Sequence, residues 1–277
     1  MEVESSQQTC YRHPNRSTRL ACSNCGRPIC AECSHDAAVG QKCPECAAPQ
    51  GRARVIQARQ VRRLDRRGTP VTMALLAVNI GVFILGRLDP ELGGRFFVEG
   101  SMFNPAVAEG EWYRLFTSAF LHANFAHVLF NMYALYLFGP ALERRAGSVP
   151  FAALYLASAL AGSAVYFARG SAVPAVGASG AIFGLFGALL ATLYKQRHTA
   201  AGRALFNQLA ILLLINLSLP FVIRNIAWEA HLGGLVAGIV IAAAWERVAV
   251  GGPDVARIRT AIPASVAIVA FASTFVL

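Results

Sequence analysis

The sequence predicts an all-α polytopic membrane protein that carries a small zinc-stabilised cytosolic module at its N-terminus. The chain of 277 residues is 55% hydrophobic and only 14% charged, whereas soluble domains carry about 25% charged residues. Several apolar runs beyond residue 70 are long enough to cross a bilayer. All seven cysteines lie between residues 10 and 46 and predict a separate module.

The first 50 residues contain four pairs of metal-ligating side chains, each pair spaced by two residues. The pairs are Cys10 with His13, Cys22 with Cys25, Cys30 with Cys33, and Cys43 with Cys46. Such a pair can bind one zinc ion from a tight turn, and two pairs complete a tetrahedral shell. We therefore expect about two structural Zn²⁺ ions in residues 1–50 and none for catalysis, because closed shells leave no open coordination position. Metal binding would supply most of the folding free energy of this module.

Other arrangements of these ligands stay open. A disulfide framework would leave one of the seven cysteines unpaired, and the arginine-rich run behind them favours the reducing cytosol. His35 could also replace His13. The pattern Cys-x2-His-Pro…Leu-x-Cys-x2-Cys-Gly-Arg-Pro-Ile-Cys-x2-Cys resembles a B-box-type zinc finger. That resemblance implies interleaved ligation, with Cys10, His13, Cys30 and Cys33 on one ion and the other four cysteines on the second. Sequential pairing remains an alternative.

Residues 51–69 form an arginine-rich segment that we interpret as a cytosolic linker, with a short surface helix as the alternative. Seven arginines between residues 52 and 67 carry much of the net charge of +10. Basic residues just before an apolar run are typical of the cytoplasmic side of a membrane protein. We therefore expect no nucleic-acid partner, and only incidental contact of this segment with anionic headgroups of the lipid bilayer.

Seven membrane-spanning helices are predicted from the apolar runs. They lie at roughly 70–88, 118–139, 149–168, 178–194, 205–223, 229–248 and 261–277. The first six lie within residues 70–250, and residues 251–277 form a linker and the seventh span. Basic residues cluster in alternate loops, which places the N-terminus in the cytoplasm and the C-terminus outside. The segment 89–117 is then an external interfacial region, and the expected location is the plasma membrane.

Three spans carry polar side chains that a bilayer makes costly, and these side chains are functional candidates. They are His122, His127 and Asn131 in the second span, Ser179 at the head of the fourth and His231 in the sixth. Glycines beside Ser179 and His231 would let their two helices pack closely. Both residues lie near the external ends of their spans, and no Asp or Glu occurs in the core of any span.

These residue types predict nucleophilic catalysis. A serine hydroxyl becomes a nucleophile when a histidine takes its proton, so Ser179 and His231 form a candidate dyad. Hydrolysis also needs donors for the developing oxyanion, and His127, Asn131 and the Ser179 N–H can supply them. The alternative is that Ser179 and its glycines only pack helices, while His127 and Asn131 tie helices together by hydrogen bonds.

The same residues resemble the motifs of the rhomboid intramembrane serine proteases over roughly residues 70–250. The motifs are Glu111-Trp112-Tyr113-Arg114, His122-x4-His127-x3-Asn131, Gly177-Ala178-Ser179-Gly180 and Ala230-His231-Leu232-Gly233-Gly234-x3-Gly238. The resemblance implies a six-helix rhomboid core plus one C-terminal transmembrane helix. It implies that Ser179 is the nucleophile and His231 the general base. It further implies an oxyanion hole made by His127, Asn131 and the Ser179 amide.

The resemblance also implies supporting roles for four residues. His122 would join a water-accessible polar network, and Gly177 belongs to the motif around the nucleophile. Arg114 would shape the external loop in the outer leaflet. Phe183 departs from the family pattern, since many members carry tyrosine there, but phenylalanine keeps the stacking surface against the histidine. The zinc module is not part of the family core.

The predicted function is that of a serine endopeptidase that hydrolyses peptide bonds in or near transmembrane helices of membrane-protein substrates. As the family implies, a small residue would precede the scissile bond. The alternative is a non-catalytic rhomboid-like adaptor that binds client helices and recruits a cytosolic partner through the zinc module. Degenerate members would be expected to lose the serine or the histidine, and this chain has both. A transporter is disfavoured because the spans lack acidic residues and a clear repeat.

Overall fold

The computed structural model describes five stretches of the chain, which form two compact units, one within residues 1–63 and one within 64–277. The described stretches are 8–37, 39–47, 68–223, 226–248 and 254–276. Except for its last two residues, the predicted linker 51–69 lies outside them.

The first unit is a small module with two antiparallel hairpins. Its elements are β1 (Gln8–Cys10), β2 (His13–Thr18), a 3-10 turn (Ala31–Cys33), β3 (His35–Asp36), β4 (Gln41–Lys42) and the one-turn helix α1 (Pro44–Ala47). Strand β1 pairs with β2, and β3 pairs with β4. Its cluster of buried side chains consists of five cysteines and Ile29. Hydrophobic burial therefore contributes little to its stability, as the scarcity of large apolar residues predicts.

The second unit is almost entirely helical. Its helices are α2 (Pro70–Leu88), α3 (Pro90–Gly100), α4 (Asn104–Ala108), α5 (Arg114–Thr117), α6 (Phe125–Ala146), α7 (Ser148–Ala168), α8 (Ser179–Gln196), α9 (Ala200–Ser218), α10 (Trp228–Trp245) and α11 (Val255–Ser273). Six helices in the described part of the chain are long and apolar enough to cross a membrane, namely α2, α6, α7, α9, α10 and α11. The predicted all-α polytopic fold with a small N-terminal module is confirmed.

The predicted fourth span, 178–194, corresponds to α8, which is not one of these six helices. The polar side chains of Lys195 and Gln196 lie within it and lower its average hydropathy. Ten of its 18 residues are buried inside the protein. It packs against α6, α7, α9 and α10, so α8 is the central helix of the unit and these four helices surround it.

The second span begins later than the predicted 118–139. Asn124 Oδ1 accepts the backbone N–H of His127 at 2.9 Å, and this cap starts α6 at the next residue after Asn124. The placement of His122 within the span is therefore wrong. His122 lies in the turn that precedes the helix.

The fifth and seventh spans begin earlier than hydropathy predicts. Thr199 Oγ1 accepts the N–H of Gly202 at 3.0 Å, and this cap starts α9 before the predicted residue 205. Helix α11 covers Val255–Ser273 instead of 261–277. Hydropathy detects only the apolar part of a helix and not its cap or a polar first turn, which explains both shifts.

Helices α8 and α10 meet backbone to backbone through their glycines. A Cβ atom on Gly234 would lie 1.9 Å from the Gly180 carbonyl oxygen, and one on Gly238 would lie 1.9 Å from that of Gly184. No larger residue fits at Gly234 or Gly238 unless the helices move apart. The glycine spacing predicts this contact, which sets the first turns of α8 and α10 side by side.

A buried carboxylate joins three helices at the opposite end of the unit. Glu143 is 1% exposed and accepts hydrogen bonds from the N–H groups of Val71 and Thr72 at 3.0 and 2.8 Å. The hydroxyls of Thr72 and Ser148 donate to it at 2.6 and 2.7 Å. Glu143 thus caps α2 and also binds the start of α7. It lies near the end of α6, which continues past its predicted end.

Candidate active site

Ser179 is the first residue of α8, so its side chain and its backbone N–H lie at the helix N-terminus. Gly177, two residues before Ser179, has a φ of +133°. A Cβ atom there would lie 2.7 Å from ring atoms of His127. The Gly177 N–H donates to the carbonyl of Ser118 at 2.9 Å. Glycine is therefore required at position 177 by both its backbone conformation and the neighbouring imidazole.

His231 lies in the first turn of α10 and faces Ser179. Its Nε2 is 2.8 Å from Ser179 Oγ, which is a hydrogen-bond distance. The residue is 8% exposed, and its Nδ1 has no hydrogen-bond partner among the described residues. Its ring stacks on that of Phe183, with 4.2 Å between centroids and 9° between planes. Aromatic packing therefore holds the imidazole in place. Within the described part of the chain, no carboxylate is hydrogen-bonded to it.

His127 and Asn131 share a face of α6 but make different contacts. The point where a Gly177 Cβ would lie is 2.7 Å from His127 Nε2 and 3.7 Å from Ser179 Oγ, so these two side chains border the same space. The Asn131 Nδ2 donates to the carbonyl of His127 at 2.9 Å. The structure thus brings His127 to the serine, whereas the Asn131 amide is bound to its own helix with one N–H left for another acceptor.

His122 lies beside His127 and makes no hydrogen bond to Ser179 or His231. The two imidazole rings meet edge to face with 5.1 Å between centroids. Both ring nitrogens of His122 are buried and have no partner among the residues described. His122 therefore lies against His127 and is not hydrogen-bonded to the serine or to its candidate base.

Arg114 is buried and stabilises the segment between α2 and α6. Its guanidinium donates to the carbonyls of Val98 at 2.7 Å and Ser101 at 3.0 Å. It also pairs with the Glu111 carboxylate at 2.6 Å. Hydrogen bonds from Tyr113 and from Arg114 lower the pKa of Glu111, which keeps the ion pair charged. Arg114 therefore shapes this segment from within.

Two contacts that the sequence does not reveal attach this segment to the helices. Met102 and Ala175 exchange backbone hydrogen bonds at 2.8 and 2.9 Å, which ties the segment to the residues before Ser179. The Trp112 ring meets Phe275 at 4.8 Å between centroids, which attaches the segment to the turn that follows α11. Backbone pairing leaves no side-chain pattern to recognise, and the motif around Trp112 does not identify its partner.

Comparison with known proteins gives the family. Residues 109–247, half of the chain, match the model of the Rhomboid domain. The chain belongs to the rhomboid family. Together with the six apolar helices, this membership makes the rhomboid an integral multi-pass membrane protein.

The rhomboid is similar to several bacterial and plant proteins. It is 38% identical over 178 residues to rhomboid protease GluP of Bacillus subtilis. The aligned region covers 62% of this chain and 34% of GluP. It is 40% identical over 140 residues to YdcA of the same bacterium, which covers 50% of this chain and 70% of YdcA. RHOMBOID-like protein 5 of Arabidopsis thaliana is 37% identical over 151 residues, or 51% of this chain and 47% of that protein. The rhomboid thus spans only part of each relative's length.

Outside the matched domain, the N-terminal module of the rhomboid gathers its ligands into two groups. The groups are Cys10, His13, Cys30 and Cys33, and Cys22, Cys25, Cys43 and Cys46. The ligand atoms of each group lie within 4.8 Å of one another, in the interleaved order. His35 belongs to neither group, and none of the seven cysteines, all of them described, forms a disulfide.

The spacing inside the groups suits a tetrahedral metal ion. Cys30 Sγ lies 3.3 Å from His13 Nδ1, and Cys25 Sγ lies 3.8 Å from Cys43 Sγ. Zinc bonds of about 2.0 Å to nitrogen and about 2.3 Å to sulfur separate N from S by about 3.5 Å and two sulfurs by about 3.8 Å. Both groups could therefore hold a metal ion.

Proposed function

We propose that this rhomboid is an intramembrane serine endopeptidase that hydrolyses peptide bonds in or near the transmembrane helices of other membrane proteins. The observation that carries the proposal is the distance of 2.8 Å between Ser179 Oγ and His231 Nε2. The relative GluP, which is named a rhomboid protease, supports the same activity.

In the proposed reaction, Ser179 Oγ attacks the scissile carbonyl carbon while His231 Nε2 takes the hydroxyl proton. The C–N bond of the tetrahedral intermediate then breaks, and His231 gives this proton to the leaving amine. A water molecule attacks the resulting ester with His231 as the base. This second step releases the carboxyl product and restores the Ser179 hydroxyl.

The oxyanion would form beside the N-terminus of α8. The first N–H groups of a helix have no partner within the helix, so the Ser179 N–H is free to donate, and the helix dipole favours negative charge there. His127 Nε2 borders the same space as Ser179 Oγ and donates in the tautomer that carries its proton on this atom. Asn131 adds an amide N–H when its side chain turns towards that space. Loss of one such donor typically lowers kcat by about 10²–10³-fold.

The general base acts without an acidic partner in this proposal. The stacked ring of Phe183 restricts rotation of the His231 imidazole, so Nε2 keeps its orientation towards the serine. The stacking surface is the part of the tyrosine common in the family that phenylalanine retains. This makes the pair a dyad and not a triad.

The proposed substrates are single-span membrane proteins with a small residue before the scissile bond. A helix in lipid satisfies its backbone hydrogen bonds internally, so the substrate helix must unwind before a peptide bond can reach Ser179. The distribution of basic residues supports a cytoplasmic N-terminus, an external C-terminus and an external position of Ser179. We place the protein in the plasma membrane.

The N-terminal module is, in this proposal, a B-box-type zinc finger with two Zn²⁺ ions. Each ion would have four protein ligands, so zinc supplies folding free energy and no catalytic water. The domain order is the zinc module at 1–50, the linker at 51–69, the protease core at 70–250 and the last helix within 251–277. The module could recruit a cytosolic protein partner.

A serine-directed fluorophosphonate probe tests the proposed nucleophile directly. The activated Ser179 Oγ attacks its phosphorus and displaces fluoride. Mass spectrometry of the digested protein then identifies the modified residue. We expect labelling at Ser179 in the folded wild type, and its loss in His231→Ala. Ser265→Ala, which changes an exposed serine on α11, should label normally. Absence of labelling in folded protein would favour a rhomboid-like adaptor instead.

A further inference from the structure

A cavity lies at the end of α8 that is remote from Ser179. It has a volume of about 630 Å³ and opens between the last turn of α8 and the first turns of α9. Its lining includes Tyr194, Lys195, Arg197, Arg203, Phe206 and Asn207. Helical rise puts Lys195 about 24 Å from Ser179 along α8, so this cavity does not belong to the candidate active site.

Every charged side chain that lines the cavity carries a positive charge. Lys195 pairs with Glu246 at 3.6 Å, and the same carboxylate pairs with Arg145 at 3.2 Å. Neither Arg197 nor Arg203 forms an ion pair with any residue that the structure describes. The cavity therefore has two uncompensated guanidinium groups, which favours an anionic ligand.

The turn between α8 and α9 holds these two arginines at the cavity. The Arg197 Cζ lies 3.5 Å from the centroid of the Tyr194 ring, and a guanidinium stacked in this way keeps its N–H edges free for oxygen ligands. A Cβ atom on Gly202 would lie 2.1 Å from the Gln196 carbonyl oxygen. The turn is therefore tightly closed and brings Arg203 back towards the end of α8.

The face of α9 that leads away from the cavity is apolar and exposed. Arg203 and Asn207 share this face with Ile211 and Leu214 by their helical spacing, and the last two residues are 58% and 65% exposed. Helix α9 is one of the candidate membrane spans. The cations therefore lie at the depth of lipid headgroups, and the apolar residues lie at the depth of acyl chains.

We propose that this cavity binds the phosphate of an anionic phospholipid. Arg197 and Arg203 donate charge-assisted hydrogen bonds to the phosphate oxygens, and an acyl chain lies along Ile211 and Leu214. A free phosphate ion shares the headgroup chemistry but has no acyl chain to pack on the apolar face. The site is a lipid-binding site separate from peptide hydrolysis, and its existence does not depend on the proposed protease activity.

Lipid binding by the full-length protein tests the site. Purified wild type in neutral detergent is titrated with phosphatidylglycerol or phosphatidylcholine, and bound lipid is counted by native mass spectrometry. We expect selective binding of phosphatidylglycerol by the wild type and weakening by about tenfold or more in R197Q/R203Q, since each cation near a membrane surface contributes measurably. R257Q removes an exposed arginine paired with Asp254 and should bind like the wild type.

Two further measurements separate a loss of lipid binding from a loss of folding, and a lipid from free phosphate. The melting temperature in phosphatidylcholine shows whether R197Q/R203Q is folded, and the single variants R197Q and R203Q replace it if it is not, each with part of the loss. Inorganic phosphate should displace the lipid only at a large excess. Unchanged phosphatidylglycerol selectivity in the folded variants would overturn the site. Displacement by an equal concentration of inorganic phosphate would overturn its assignment to a lipid.

Discussion

The imidazole of His231 lies flat on the ring of Phe183, with 4.2 Å between their centroids and an angle of 9° between their planes. Phe183 is one turn after Ser179 on α8, so the helix that carries the candidate nucleophile also supports the candidate base. The mutual orientation of the two reacting groups therefore depends on one short segment.

Replacement of Phe183 tests this support. In Phe183→Ala the imidazole loses an aromatic pair worth about 0.5–1.5 kcal/mol, and we expect kcat to fall by up to about tenfold. Phe183→Tyr keeps the stacking surface and should retain at least wild-type activity. The measurement is cleavage of a single-span substrate in detergent. Equal activity of the alanine and wild-type proteins would show that stacking does not orient His231.

Close packing of α8 on α10 predicts a large effect of one added methyl group. In Gly234→Ala the new Cβ would lie 1.9 Å from the Gly180 carbonyl oxygen, and such overpacking typically costs about 1–3 kcal/mol. We expect a lower melting temperature and loss of fluorophosphonate labelling, because the helices must separate near Ser179 and His231. Gly81→Ala is the matched control, since nothing lies within 4 Å of its added Cβ. A Gly234→Ala protein as stable as this control would contradict the described contact.

The buried Glu143 predicts a stability effect far from the reacting residues. Glu143→Gln places an NH₂ group among N–H and O–H donors, and an unsatisfied buried polar group costs about 1–3 kcal/mol. Thermal unfolding in detergent should therefore occur at a lower temperature than in the wild type. Glu99→Gln changes a carboxylate whose side chain is 64% exposed and should leave the unfolding temperature unchanged. Equal unfolding temperatures of the two variants would refute the role of Glu143.

The N-terminal ligand groups predict a defined metal content. Metal analysis of protein prepared under reducing conditions without chelator should find about two zinc ions per chain. Cys30→Ser and Cys43→Ser each remove one ligand from a different group, so each should lower the content towards one ion. His35→Ala changes a histidine outside both groups and should leave it unchanged. A wild type without metal would exclude the zinc finger.

Sequence alone could predict which polar side chains lie close together, because their types and spacings are typical of one site. Ser179, His231 and His127 come together as predicted from the polar positions and the glycine stripes, and the cysteine pairs separate into the two interleaved groups. The central position of α8 was not evident, since its apolar run looks like the other spans. Only the contacts on all sides of α8 distinguish it.

Other features could not be predicted because they depend on contacts between distant segments. Hydropathy included His122 in the second span, whereas the cap made by Asn124 leaves it in a turn. The carboxylate of Glu143 falls beyond the predicted end of the same span, and its partners lie on two other helices. Such contacts leave no periodicity in the sequence.

Cleavage of a membrane-protein substrate tests whether Ser179 is the nucleophile. Wild type, Ser179→Ala and the control Ser265→Ala are incubated in detergent with a single-span membrane substrate, and the fragments are quantified and sequenced. We expect cleavage in or beside the substrate's transmembrane helix by the wild type and the control, and no cleavage by Ser179→Ala. Cleavage by folded Ser179→Ala at the rate of the wild type would contradict the proposed mechanism.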